Sequence, residues 1–380
     1  MAKGNNPEAR RRKAPLWARL CAIFGCILMV ISGGTLVTSQ VLVARYAGAV
    51  DNKDLFGNAG GAKKEAKSDI KGPLNVLLVG VDPRSDEDAP RSDSIIVVHV
   101  SASMDEAYLF SIPRDLVVDI PAFEKTGFRG GRGKINSAMS YGSEIGGGKH
   151  SVPQGFALLA KTVSRLTGIK DFDAGAIINF GGFRKIVDAM GGVTMPIDQN
   201  VKSEHLAPDG SPRPRSARCP KNSNCDHPYI GPQKTYKKSS KPVHLEGWEA
   251  LDYVRQRYGL PKSDYDRQRH QQQFIKAMAQ QALSRDVVSS PAKLDKVLKA
   301  AGKALIFDGN GHNVVDWGLA LKGVRPANMT TIKLPGSSII VGGQYRGEQL
   351  ASSADEFFRS VSNGSVGDFP LAHPEFINKS

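Results

Sequence analysis

The sequence predicts an α/β domain whose sheet is covered by helices on both faces, preceded by one transmembrane helix. Three observations carry this. Beyond residue 74, short runs rich in Val, Ile and Leu interleave with amphipathic helical patterns. From Leu20 to Ala44 there is no charged residue, which is long enough to cross a hydrocarbon core of about 30 Å. Basic residues crowd the N-terminal side of that stretch. The 380 residues are 40% hydrophobic and 23% charged with no long internal repeat, so a globular body is expected rather than a disordered or solenoid chain.

In chain order, residues 1–19 read as a basic cytoplasmic tail. Lys3, Arg10, Arg11, Arg12, Lys13 and Arg19 face only Glu8, whereas Arg45 alone closes the far side. The positive-inside rule then keeps the N-terminus in the cytoplasm and puts everything after the span outside. A cleaved signal peptide is the competing reading, because Ala47-Gly48-Ala49 resembles a cleavage site; the apolar stretch is too long for a typical signal core. Residues 45–73 are small, polar and Gly-rich and read as a linker with room for one strand.

The domain is expected over 74–365. "NVLLVG" (75–80), "SIIVVHV" (94–100) and "YLFSI" (108–112) read as strands buried on both faces. Helices are expected at 154–168, 182–192, 246–257, 269–284 and from 293, with further strands at 174–180, 192–197 and 329–335. The pattern lapses over 200–243, which reads as a long insertion on the rim, and 366–380 reads as a C-terminal tail. Cys219 and Cys225 fall in the external part, where oxidation is allowed, and a small-loop disulfide is expected there. A metal site with His227 matches no common zinc spacing.

A net charge of +14 invites a nucleic-acid partner, but the topology turns the basic domain away from the genome. Lipid head groups, phosphates or acidic wall polymers are the partners such a surface would meet. Sites in α/β sheets gather beyond the carboxyl ends of strands. Asp82 follows the first strand and Asp93 precedes the second, so neighbouring strands would bring two carboxylates to one spot. At about 4 Å such a pair repels by roughly 4 kcal/mol at an effective dielectric of 20, which calls for a proton or cation between them. Both residues would equally serve as turn and strand-entry positions. "SIPRD" leaves Arg114 and Asp115 at the end of the third strand. Lys134 and Asn136 follow a Gly-rich turn that fails the P-loop pattern, with Phe128 and Ile135 at required Gly and Ser/Thr positions. No nucleophilic triad is apparent. "YVRQRYGLPKSDYDRQRH" (253–270) gathers Arg255, Arg257, Asp264, Asp266, Arg267 and Arg269 around a Gly-Leu-Pro break, without the spacing of helical ion pairs.

Together "NVLLVGVDPRSDEDAPRSDS", "SIPRD", "GKINSAMSYG", "FGGFRKIVDAMGGV", "LEGWEALDYVRQR" and "DYDRQRHQQQFIKA" resemble the LytR-CpsA-Psr family of membrane-anchored bacterial glycopolymer transferases, from about Leu74 to Ala277. The resemblance implies a three-layer αβα domain with a central mixed sheet. It also implies an enzyme that uses Mg²⁺, or Mn²⁺, to move a phosphoglycan from a polyprenyl-pyrophosphate lipid to peptidoglycan or another wall polymer. By matching motifs, Asp82 and Asp93 would hold the metal. Arg91, Arg114, Arg255, Arg257 and Arg267 would surround the pyrophosphate, with Asp264 and Gln271 nearby and Lys134 and Asn136 on the family's "KIN" motif. Asp266 and His270 depart from the family's usual Gly and Arg, which leaves the local contacts of this turn open, and Asp266 and Arg269 stay unassigned between site and solvent. Hydrolysis of the same lipid and a non-catalytic envelope role are the rival functions. The apolar faces of helices 154–168, 182–190 and 272–282 could line a lipid groove, and an ordinary core explains them equally well.

Overall fold

A computed structural model describes residues 51–57, 69–82, 88–219, 225, 227–282, 290–302 and 304–378. The span expected at 20–44 and the tail before it lie outside these residues. Among the described residues no helix is long and apolar enough to cross a membrane.

The strands, in chain order, are β1 (Asp51–Asn52), β2 (Leu74–Val81), β3 (Ser92–Val100), β4 (Ala107–Ser111), β5 (Val117–Ile120), β6 (Gly131–Lys134), β7 (Ala174–Asn179), β8 (Val193–Ile197), β9 (Val201–Lys202), β10 (Thr235–Tyr236), β11 (Ser239–Leu245), β12 (Leu305–Asp308), β13 (Met329–Ile332), β14 (Gly336–Val341) and β15 (Gln344–Leu350). The helices are α1 (Asn136–Ser143), α2 (Val152–Thr167), α3 (Phe180–Ala189), α4 (Gly247–Arg255), α5 (Asp264–Ala282), α6 (Pro291–Gly302), α7 (Val314–Ala320), α8 (Ser353–Ser362) and α9 (Phe369–Ala372).

Seven strands form one sheet in the order β1-β12-β7-β2-β3-β4-β13. Pairing of β2 with β7 and of β4 with β13 is parallel, while β3 runs antiparallel to both β2 and β4, so the sheet is mixed. Side chains alternate between its faces. Leu77, Val79, Ile95, Val97 and Phe110 meet Phe156 and Leu159 of α2 and Phe357 of α8 on one face. Val76, Leu109 and Ala176 meet Trp317 of α7 on the other, with Ile275 and Ala279 of α5 packed beside them. Burial on both sides is why these strands read as unbroken apolar runs.

Local chemistry fixes the helix ends. Ser151 caps α2 by accepting from the Gln154 N–H, and Gly168, with φ of 74°, closes it by donating to Ser164 O. Asn179, at the end of β7, caps α3 through Gly182 N–H at 2.7 Å.

Two expectations are corrected. Residues 51–57, placed in the linker with room for one strand, supply that strand as β1 on the sheet edge, but they also pack into the domain, burying Leu55, whose N–H donates to Asp308. Residues 366–378, read as a tail, seat Val366, Phe369 and Phe376 in the main core. The insertion 200–243 is anchored to the fold. Its β9 pairs with β10, Ser203 donates to Asp252 at 2.8 Å, and Arg213 donates to the carbonyls of Glu204, Tyr229 and Gly231. Cys219 and Cys225 form the expected disulfide.

Candidate functional site

Because β2, β4, β7 and β13 share a direction, their carboxyl ends open on one edge of the sheet, where β3 begins. Asp82, Arg114, Phe180 and Lys333 follow those four ends. Ser94 pairs with Gly80 and Ser92 with Val81, so Asp93 is the extra residue of a β-bulge. A bulge re-aims a side chain, and here it accompanies a carboxylate on the functional edge.

Each acidic side chain on this edge meets an arginine. Arg114 Nη1 donates to Asp93 Oδ1 at 2.5 Å, and Arg255 Nη2 to Asp82 Oδ2 at 2.9 Å. Arg267, buried, reaches Asp264 Oδ1 at 2.6 Å and the Asp93 carbonyl at 3.2 Å. The Arg255 guanidinium also lies 4.2 Å from the centre of the Phe180 ring. Burial pulls the Arg267 pKa down, against the attraction of Asp264 and Asp93. For Arg114 burial acts the same way, but Asp93, Asp115 and Asp264 outweigh it and raise the value.

These groups surround a cavity of about 280 Å³ whose lining includes Asp82, Asp93, Arg114, Arg255, Arg257 and Arg267. Four guanidiniums against two carboxylates leave it cationic. Among the described residues the second oxygen of Asp82 and of Asp93 accepts no hydrogen bond, so each retains a lone-pair face for a cation. That donor set, two hard carboxylate oxygens beside a cluster of arginines, has the chemistry to fit a Mg²⁺ or Mn²⁺ ion completed by oxygens of an anionic ligand. No group of three or more His, Cys, Asp or Glu side chains that could hold a metal occurs among the described residues.

The segment 253–270 owes its arrangement to a break. The helix α4 ends at Arg255, and Gly259, with φ of 70°, turns the chain before α5 starts at Asp264. Gln256, between the two arginines, ties this turn to the insertion: its Oε1 accepts from Glu204 N–H and its Nε2 donates to Asp252. Asp252 is buried, and burial pushes its pKa up despite hydrogen bonds from Ser203, Tyr236 and Gln256.

The sequence-derived residues do not all converge. Arg91 is exposed ahead of β3 and does not line the cavity. Lys134 pairs with Asp115 at 3.2 Å, and Asn136 donates its backbone N–H to Arg114 O at 3.1 Å, so both support the Arg114 loop from behind. Asp264 lines a neighbouring groove and reaches the cavity through Arg267. Gln271 lines the cavity and accepts from Ser94 at 2.8 Å. His205, Phe180 and Tyr258 also line it and were missed. Phe180 carried a signal, since it directly follows a strand end; His205 comes from the insertion, where no pattern marks it. Burial, then the charge of Arg255, lowers the His205 pKa, which favours the neutral imidazole.

Asp266 and Arg269 belong to the interior rather than to solvent. Asp266 is 2% exposed and accepts from Lys262 N–H and from Arg269. Arg269 Nε donates to Asp198 at 2.6 Å, joined there by Gln273 at 2.9 Å and His270 at 3.2 Å. Burial raises the Asp198 pKa, but the hydrogen bonds from His270, Arg269 and Gln273 outweigh it and hold the carboxyl far below its usual range. A depressed carboxyl stabilises the fold at pH values above its unfolded pKa of about 4, and loses that contribution as pH falls further towards the folded value. Asp198→Asn is therefore expected to lower urea-unfolding stability by about 2–4 kcal/mol at pH 7, with a gap to wild type that narrows below pH ~4. An unchanged gap at pH 3 would assign the loss to packing.

An apolar cavity of about 260 Å³ adjoins the cationic one and shares Phe180, Arg255 and Gln271 with it. Its walls come from Leu78, Ile96 and Ala176 of the sheet, Phe183 of α3, and Phe274 and Met278 of α5. Two of the three helices expected around a lipid groove are there. The third, α2, packs into the main core on the opposite face of the sheet.

A sequence profile of the LytR_cpsA_psr family matches residues 43–361. The chain belongs to this family. LytR_cpsA_psr relatives include the cell wall biosynthesis protein LcpA of Corynebacterium glutamicum, 25% identical over 363 residues, covering 89% of this chain and 63% of that protein. The chain thus spans under two-thirds of LcpA. TagU of Oceanobacillus iheyensis, a polyisoprenyl-teichoic acid–peptidoglycan teichoic acid transferase, is 27% identical over 342 residues, with 88% of this chain and 89% of TagU covered. The crystal structure of Bacillus subtilis TagU shares the fold with a TM-score of 0.51 at 20% identity, covering 77% of this chain and 97% of TagU.

Proposed function

We propose that this LytR_cpsA_psr protein is a membrane-anchored, extracytoplasmic phosphotransferase that moves a glycan phosphate from a polyprenyl-pyrophosphate carrier to peptidoglycan or another wall polymer. One observation carries the reading: a cationic cavity and an apolar one of similar size meet at Phe180, Arg255 and Gln271. A prenyl pyrophosphate has that division, with an anionic head and a hydrocarbon tail. The apolar stretch at 20–44 would keep the domain at the membrane surface where such a lipid resides. Names borne by relatives such as TagU support the donor and acceptor classes.

Arg114, Arg255, Arg257 and Arg267 bind the pyrophosphate oxygens, and charge-assisted guanidinium contacts to phosphate are roughly twice as strong as neutral hydrogen bonds. A divalent ion held by Asp82 and Asp93 would neutralise further negative charge on the head group. The acceptor hydroxyl oxygen attacks the glycan-bearing phosphorus, the bond from that phosphorus to the bridging oxygen breaks, and polyprenyl phosphate leaves with the electron pair. The hydroxyl proton passes to Asp264, which lines the neighbouring groove, and from there to water.

The test is a reaction of the full chain with a labelled polyprenyl-pyrophosphate glycan and peptidoglycan strands. Label should appear on the strands, disappear with a chelator and return with added Mg²⁺, and fall about 10³-fold in Asp93→Ala. Label released to water without attachment would identify a hydrolase, and an Asp93→Ala variant as active as wild type would remove the carboxylate from the mechanism.

A further inference from the structure

A second polar groove begins where the cationic cavity ends. It has a volume of about 690 Å³ and is lined by Asp115, Arg257, Asp264, Tyr265, Tyr345 and Glu348, among others. It shares Arg257 with the cationic cavity and no residue with the apolar one. The order is therefore apolar cavity, phosphate-binding cavity, polar groove.

We infer that this groove is the binding site for the acceptor glycan, a hydroxyl-rich amino-sugar strand with acidic substituents, as in peptidoglycan. The inference rests on the transferase reading above and assigns its second substrate. In-line displacement requires the attacking oxygen to approach opposite the leaving oxygen. The leaving group is the polyprenyl phosphate, whose tail occupies the apolar cavity beside Phe180, Arg255 and Gln271. The attacking hydroxyl then comes from the Arg257 and Asp264 side, which is where the groove opens.

The lining has the chemistry to hold a sugar. The buried Glu348 carboxylate accepts from Ser338 at 2.9 Å, from Tyr345 at 3.0 Å and from Tyr265 at 3.4 Å, which fixes two phenol rings in the wall. Each phenol oxygen keeps an acceptor lone pair for a sugar hydroxyl, and the half-exposed Tyr345 ring offers an apolar face. Where the groove meets the phosphate cavity its lining alternates charge, with Arg257 beside Asp115 and Asp264, and those two carboxylates pair with Lys134 at 3.2 Å and Arg267 at 2.6 Å. Lys262 and Lys333 stand at the junction with a further polar groove, where they would meet the acidic substituents of the strand. The hairpin of β14 and β15 supplies one wall, so the acceptor site comes from a part of the fold that contributes nothing to the cationic cavity.

Ser337→Trp places a bulky ring on an exposed position of that wall. Binding of short soluble peptidoglycan glycan strands to the full chain, without donor, is expected to weaken about tenfold or more in Ser337→Trp and about fivefold in Tyr345→Ala, and less than about twofold in Ser337→Ala. Donor-lipid affinity of Ser337→Trp should match wild type, which also certifies its fold. Equal strand affinity in wild type and both bulk-changing variants, or no strand binding by wild type, would overturn the assignment. Failure of the transferase reading has a different signature: strands bind wild type and are lost in Ser337→Trp, yet no glycan is ever transferred.

Discussion

Arg267→Lys is expected to leave the protein folded and to lower glycan-phosphate transfer about 10²–10⁴-fold. The side chain of Arg267 is 8% exposed, its Nη2 donates to the Asp93 carbonyl at 3.2 Å and lies 2.6 Å from Asp264 Oδ1 as an ion pair without hydrogen-bond geometry, and its Nε has no partner among the described residues. Such an orphaned buried donor, at the edge of a phosphate-sized cavity, is what a bound oxyanion would satisfy. Only a planar fork can serve protein acceptors on one edge and a ligand on another; a lysine ammonium is a point charge on a flexible stem. Losing two charge-assisted hydrogen bonds of about 1.5–3 kcal/mol each gives the stated range if they act in the transition state. Arg267→Ala should additionally lose about 3–5 kcal/mol of stability, because it leaves the Asp264 carboxylate without its partner. The comparison is made with kcat/KM for transfer and urea unfolding on both variants. A lysine variant within tenfold of wild type would reduce Arg267 to a structural counter-ion.

How far the sequence reached follows from what each residue faces. Strands β2, β3 and β4 were legible because their side chains enter packed layers on both sides, which writes an apolar run into the sequence. The start of α5 was not. Its first turn, Asp264 to Arg267, turns charge inward, pairing Asp264 with Arg267 and Asp266 with Arg269, so the apolar period begins only near residue 269. The β14–β15 hairpin was also unread, although Gly342 and Gly343, with φ of 59° and 77°, mark its turn in plain view. Of the site, the paired carboxylates and four arginines were visible as residues stationed at strand ends or at a helix break. His205 was not, because its place depends on Ser203, Glu204 and Arg213 anchoring the insertion to α4 and the turn after it, a tertiary event with no local pattern. Asp266 and Arg269 show the same limit from the other side: charge density left unassigned between site and solvent is a closed network when Asp198 arrives from 68 residues upstream of Asp266.

Met278→Trp is expected to raise the KM for a long-chain prenyl donor about 50-fold while leaving the KM for a short, water-soluble pyrophosphate donor unchanged. Met278 lines the apolar cavity with Phe183, Phe274 and Ile275, and an indole there fills space that hydrocarbon would occupy. Each buried methylene contributes about 0.8 kcal/mol, so excluding about three of them removes roughly 2.4 kcal/mol, or about 50-fold. The short donor makes only head-group contacts with the arginines and lacks that contribution. If the cavity were merely an imperfection of packing between the sheet and α5, filling it would raise the melting temperature and leave the dependence on prenyl length intact. The two accounts diverge on one plot, KM against chain length. A tail-binding cavity gives a wild-type slope that flattens in Met278→Trp, whereas a packing void gives parallel lines. The shared residues Phe180, Arg255 and Gln271 then explain why tail and head group are read together, since a tail excluded from one cavity cannot hold the pyrophosphate in register in the other.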